Sequence, residues 1–234
     1  MDKISIVSGG SSGLGFFLAS KLLKAGKNVI ILGHNSEKLT KSAELLQTDS
    51  EYNSITPVVC NIGNENDIRE LGEFITSKNM IVEYLFNNAG RGLFAKAEAS
   101  TELMVNSIFE ANLKGMILLT SEILRITGEN EELTIVNIMS TSSLYGRAEE
   151  TIYCAAKWGA RGFTEALRAE LKGTKRNIIA VYPGGMKTDF WNITGQTRNI
   201  SNFMEPSEVA EKIVNAVLVS GNLMVADITI NRKK

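Results

Sequence analysis

"ISIVSGGSSGLG", residues 4–15, decides the fold. An apolar run (4–7) enters a turn of serines and glycines (8–15), and Leu14, Phe17, Leu18 and Leu22 then recur at helical spacing. A strand that turns sharply into a helix is the opening unit of a parallel α/β sheet. Gly9, Gly13 and Gly15 follow a G-x-x-x-G-x-G spacing, which differs from the commoner G-x-G-x-x-G. Glycines here let backbone amides approach a pyrophosphate, and a helix beginning near Gly13 presents its positive N-terminus to it. Tight turns also need glycine for steric reasons, so the turn alone leaves both readings open. The absence of Gly-Lys-Ser/Thr disfavours a nucleoside-triphosphate loop.

Working outward, the same rhythm repeats. Short apolar runs recur as "NVIIL" (28–32), "ITPVV" (55–59), "EYLFN" (83–87), "LTIVNI" (133–138), "IIAVY" (178–182) and "LMVADITI" (223–230). Longer segments with helical spacing lie between them, such as Phe163, Leu167 and Leu171. Continuous apolar strands alternating with helices indicate a parallel sheet covered on both faces, and right-handed crossovers make it doubly wound. No repeat or Pro/Gly/Ser-rich linker interrupts the chain, so residues 1–234 read as one domain. Net charge is −1 with the two signs interspersed, which gives no basic field for nucleic acid. No apolar run is long enough to span a membrane. The first strand begins too early to leave room for a signal peptide, so a cytoplasmic location is expected. Cys60 and Cys154 sit in apolar surroundings and read as reduced, buried thiols.

Ligands of such sheets bind beyond the carboxyl ends of the strands, so the residues there carry the chemistry. "NNAG" (87–90) follows the fourth run, "NLKG" (112–115) lies in the helical stretch after it, and "NIMSTSS" (137–143) ends the fifth. "YCAAK" (153–157) comes thirteen residues after Ser140, and "YPGGMKT" (182–188) ends the sixth. Each motif alone is weak. As an ordered set from Ser8 to Thr188 they resemble the compact single-domain branch of the short-chain dehydrogenase/reductase family. The resemblance implies a Rossmann-type three-layer fold with a mostly parallel seven-stranded sheet in the order 3-2-1-4-5-6-7. It also implies Tyr153 as general acid/base, Lys157 as its lysine, Ser140 as the serine that orients the substrate oxygen, and Asn112 as the fourth member of the set.

For the dinucleotide, the resemblance implies Ser8, Gly9, Ser11, Ser12, Gly13, Leu14 and Gly15 in the first turn. His34 and Asn35 follow the second strand, and Asn61 and Ile62 the third. Asn88, Ala89 and Gly90 line the ribose; Tyr153 and Lys157 contribute, and Pro183, Gly184, Met186 and Thr188 close the nicotinamide end. Asn61 stands where the family usually has an aspartate, and Ser8 where it usually has a threonine. The second strand ends "LGHN", with Gly33 where an NAD-selective acid is expected. The missing acid favours NADP and leaves NAD possible, although both usual bases are missing too. His34, the only histidine, is a candidate for the extra phosphate and equally an inert surface residue.

A tyrosine and a lysine four apart on a helix rise from one face. A phenol titrates near 10, and reversible acid/base work at neutral pH favours a value nearer 7, a shift of roughly 4 kcal/mol. A cation about 4 Å away at an effective dielectric near 20 supplies about that much, so Lys157 is expected to lower the pKa of Tyr153.

In the family, residues 189–205 form a flap over the substrate. Phe190, Trp191, Phe203 and Met204 there suggest an apolar substrate surface, and a cap on the core is an equal alternative. Leu144, Tyr145, Arg147 and the "RGLFAK" loop (91–96) are expected opposite. The expected activity is hydride transfer between NADP(H) and a small carbonyl or secondary alcohol. A carrier-linked 3-ketoacyl reductase, an epimerase or dehydratase variant and a non-catalytic NADP-binding regulator are the alternatives. Small residues at 155, 156, 159, 160 and 162 suit either a helix pair in a homodimer or homotetramer, or close packing on the sheet.

Overall fold

The computed structural model describes residues 2–48, 53–195, 198–219 and 223–233. Strands β1 (Lys3–Ser8), β2 (Asn28–Gly33), β3 (Ile55–Val59), β4 (Ile81–Asn87), β5 (Leu133–Ile138), β6 (Arg176–Pro183) and β7 (Asp227–Ile230) form one sheet in the order β3-β2-β1-β4-β5-β6-β7. Every neighbouring pair is parallel, so the sheet is wholly rather than mostly parallel. The last strand starts four residues later than its apolar run: Leu223 and Met224 are exposed, and pairing with β6 begins at Asp227.

Helices α1 (Gly13–Lys24), α2 (Ser36–Thr48), α3 (Glu65–Ser77), α4 (Glu102–Phe109), α5 (Gly115–Ile126), α6 (Thr151–Glu170) and α7 (Pro206–Val217) connect the strands. Their apolar stripes divide the core in two. Leu14, Leu18 and Leu22 of α1 join Leu39 of α2 and Ile213 of α7 on one face. Ile68 and Leu71 of α3, Leu119 of α5 and Leu167 of α6 cover the other. Strands buried on both faces read as continuous apolar runs for this reason.

Glycine is obligatory at two points of the first turn. Gly9 has φ +66°, and a Cβ there would come within 2.9 Å of the Ala89 Cα. A Cβ on Gly15 would sit 2.2 Å from the Gly9 carbonyl oxygen. "NLKG" lies in the expected helical stretch, where a π-helical turn, Glu110–Lys114, stands between α4 and α5. The extra residue in that turn directs Asn112 inward, and it is 1% exposed.

A buried chain of side chains ties the sheet to the helices that carry the site. The Asn87 amide donates to the Thr120 hydroxyl (2.9 Å) and to the Asn137 carbonyl (2.8 Å). Asn137 in turn donates to the Thr164 hydroxyl at 2.9 Å. Buried networks favour one arrangement, and breaking one leaves groups that have lost water; here the Asn87 carbonyl oxygen is already buried without a protein partner. Asn137→Leu is expected to lower stability by about 2–4 kcal/mol, read as a shift in urea midpoint with an unchanged slope. Among the described residues, no helix is long and apolar enough to cross a membrane.

Candidate active site

A cavity of about 970 Å³ runs along the carboxyl ends of the strands. At one end are Gly33, His34, Asn35, Asn61 and Ile62, and at the other Phe190, Trp191 and Phe203. Between them lie Gly9, Ser11, Ser12, Gly13 and Leu14, then Asn88, Ala89 and Gly90, then Pro183, Gly184, Met186 and Thr188. Ser140, Tyr153, Lys157 and Asn112 line the same space. Residues from Gly9 to Phe203 are thus gathered by the parallel register of the strands, as this sheet type dictates.

Two residues expected at the cofactor do not reach the cavity wall. Ser8 is fully buried, and its hydroxyl donates to the Phe86 carbonyl (3.3 Å) while accepting from the Asn88 and Ala89 amides (3.0 Å each). It holds the ends of β1 and β4 together. Gly15 is buried against the Gly9 carbonyl and shapes the turn from behind. Leu144 packs beside Met116 and Met139, and Tyr145 is half exposed, so neither forms the expected wall; Arg147 and Phe94 do. Lys187 is turned to Glu205 at 2.6 Å. Of the expected flap, Gln196 and Thr197 lie outside the described residues.

Ser140, two residues past β5, has an extended backbone, and its hydroxyl accepts from the Ser142 amide at 3.1 Å and lies near the Tyr153 phenol. The Tyr153 ring is held by edge contacts with Phe94 (5.6 Å) and Phe190 (5.9 Å). Lys157, 3% exposed, donates to the Ile138 carbonyl at 3.3 Å, with its ammonium 5.9 Å from the Tyr153 ring centre. Asn112 donates to the Arg91 and Ile108 carbonyls at 2.8 and 2.9 Å. Its carbonyl oxygen is buried without a protein partner and faces Gly90, where an added Cβ would meet it at 2.7 Å and the Lys157 ammonium at 3.6 Å.

The electrostatics correct one expectation. Burial pushes the Tyr153 phenol well above its ordinary pKa; the Ser140 hydrogen bond and Arg147 pull it down, while Glu150 and Cys154 push it up. Burial also brings Lys157 down to about 8. Desolvation of the phenolate therefore exceeds the help that Ser140 and Arg147 give. The Cys60 thiol is pushed up to about 12 by burial, then by Asp67 and Glu70, which makes it unreactive.

The short chain dehydrogenase family model matches residues 3–199. The chain belongs to the short-chain dehydrogenase family. A Streptomyces coelicolor protein provisionally described as a ketoacyl reductase is 32% identical to this short-chain dehydrogenase, covering 91% of this chain and 88% of its own. A short-chain dehydrogenase/reductase from Vibrio parahaemolyticus superposes with TM-score 0.87 at 31% identity, over 99% of this chain and all of that one. An actinorhodin polyketide ketoreductase crystallised with NADPH superposes with TM-score 0.85 at 25% identity, over 98% and 95% of the two chains.

Among the cavity residues of this short-chain dehydrogenase that carry no motif are Lys38, Glu150 and Arg198. Lys38 stands in the first turn of α2, shortly after His34, which precedes the helix. Glu150 precedes Tyr153 by three, which brings them to one face. Arg198 had no local signal, because its partner is 48 residues away.

Proposed function

We propose that this chain is an NADPH-dependent carbonyl reductase, reversible as an alcohol dehydrogenase, with residues 1–234 acting as one catalytic domain. One observation carries the reading: the Tyr153 phenol and the Ser140 hydroxyl lie near each other on the wall of the large crevice, beside Lys157 and Asn112.

The residues fit a dinucleotide. Gly9 keeps the turn clear, α1 opens at Gly13 toward the cavity, and Thr188 lies 3.4 Å from where a Gly13 Cβ would be. His34, Asn35, Asn61 and Ile62 would hold the adenosine end, with Asn35 fixed by accepting from the Lys38 amide at 2.8 Å. Asn88, Ala89, Gly90 and Lys157 would hold the nicotinamide ribose, and Pro183, Gly184, Met186 and Thr188 the nicotinamide itself. When bound, NADPH supplies the hydride.

The chain's own groups do the rest. Ser140 donates to the substrate oxygen and fixes it, and Tyr153 gives that oxygen its proton. The buried Asn112 carbonyl would accept from a water that returns a proton by way of Lys157. Phe94, Phe190, Trp191 and Phe203 form a continuous aromatic wall, with successive ring centres 5.1–6.2 Å apart, suited to a ketone on an apolar body. The ketoacyl reductase relative favours a 3-ketoacyl thioester as the second substrate reading. Loss of NADPH absorbance across a panel of ketones, aldehydes and a 3-ketoacyl thioester tests both; binding of NADPH without turnover of any of them would point to a regulator.

The preference for NADP rests on Gly33, which puts no acid against a 2′-phosphate, and on Lys38, whose charge lines that end of the cavity. Glu37 beside it is paired with Lys41 at 2.7 Å. NADPH is expected to bind more tightly than NADH in fluorescence titrations. Lys38→Ala is expected to weaken NADPH by about five- to tenfold, the order of one charge-assisted contact, and to leave NADH unchanged. Tighter binding of NADH to the parent would reverse the assignment.

The reading includes a cytoplasmic, homo-oligomeric protein. Ala156 and Ala160 of α6 pack inward, whereas Ala155 and Gly162 are exposed beside the half-exposed Trp158, a face suited to a second copy. Light scattering would show a mass of at least two chains.

A further inference from the structure

Glu150 is a carboxylate with 3% exposure, placed one residue before the helix that carries Tyr153. Its preceding residue, Glu149, takes a left-handed backbone (φ 63°), and the Ala95 amide donates to the Glu149 carbonyl at 2.8 Å. Non-glycine residues adopt that conformation only where their surroundings hold them in it. Ser142 donates to one Glu150 oxygen at 3.0 Å. The other accepts from the Arg198 guanidinium, also at 3.0 Å. Arg198 in turn lies 5.0 Å from the Phe94 ring centre and 5.1 Å from that of Trp191. Phe94 is the ring that packs against Tyr153.

A buried anion beside a phenol disfavours the phenolate, and a guanidinium bonded to that anion cancels most of its field. Removing one member of a buried pair leaves the other uncompensated. The other groups around the phenol are Cys154 and Lys157 on its own helix, Ser140 and Arg147 after β5, Arg91 after β4, and Asp189 after β6. Among these, Glu150 and Arg198 are the opposite charges that meet directly. We propose that Arg198 and Glu150 are positioning residues for Tyr153: Arg198 neutralises the carboxylate three residues ahead of the phenol and anchors the chain before α7 to the aromatic wall. The proposal rests on Tyr153 being the acid/base.

The test is a pH titration of tyrosinate absorbance in enzyme saturated with NADP⁺, subtracting the same protein carrying Tyr153→Phe. Arg198→Met should raise the Tyr153 midpoint by about one unit, or roughly tenfold less phenolate at a given pH. Glu150→Gln should lower it or leave it in place, and adding Arg198→Met to Glu150→Gln should change nothing further. The double variant holds no buried uncompensated charge, so it keeps the comparison available if Arg198→Met alone folds poorly. An unchanged midpoint in Arg198→Met, or an equal shift with and without Glu150, would overturn the proposal. So would a Tyr153 that ionises in neither the parent nor any variant over the range in which the fold survives. Failure of the catalytic reading is distinguishable: Tyr153→Phe would then keep reducing ketones while the coupled shift persisted.

Discussion

Tyr153→Phe is expected to lower ketone reduction by about 10³-fold or more while leaving NADPH affinity within a few-fold. General acid catalysis by a placed side chain contributes about 10²–10⁴-fold, and no other hydroxyl in the cavity has the same position. The ring is retained, so its edge contacts with Phe94 and Phe190 survive and the wall keeps its shape. Only the hydroxyl near Ser140 is lost. Steady-state rates with the most active ketone, beside a fluorescence titration of NADPH, separate the two effects. Activity retained to within tenfold would remove Tyr153 from the mechanism; lost nucleotide binding would assign it to the cofactor site.

Gly15→Ala should damage the protein more broadly. The new methyl would sit 2.2 Å from the Gly9 carbonyl oxygen and 2.5 Å from the Asn88 amide nitrogen. Neither can retreat cheaply: Asn88 donates to the Ser8 carbonyl at 2.9 Å, and Gly9 is in a left-handed turn against Ala89. Opening the turn costs on the order of 3 kcal/mol, the upper end for overpacking. The same figure appears as roughly a hundredfold weaker NADPH binding if the turn opens only when the nucleotide is accommodated, or as a lower melting temperature if it is open throughout. Thermal melts with and without NADPH distinguish these outcomes. Unchanged stability together with unchanged affinity would show that the turn is not held as described.

The architecture was legible because its signals are local. A strand buried on both faces must be apolar throughout, and its helices must repeat at helical spacing, so "LTIVNI" and "ITPVV" mark β5 and β3 to the residue. Glycine at 9 and 15 likewise announced a backbone that tolerates no Cβ. Composition and spacing could not say what that backbone faces. Ser8 and Gly15 belong to motifs that resemble a cofactor turn, yet β4 covers Ser8 and the turn itself covers Gly15.

By itself, then, the sequence determined the parallel α/β layering, the glycine turn and the order of the site motifs, each set by residues within a few positions of one another. Tertiary structure alone decided the inward turn of Asn112, the arrival of Arg198 at Glu150 and the upward shift of the Tyr153 phenol. The reason is physical: a side chain's loss of water and its charged neighbours depend on what other parts of the chain pack over it, and no local spacing records that.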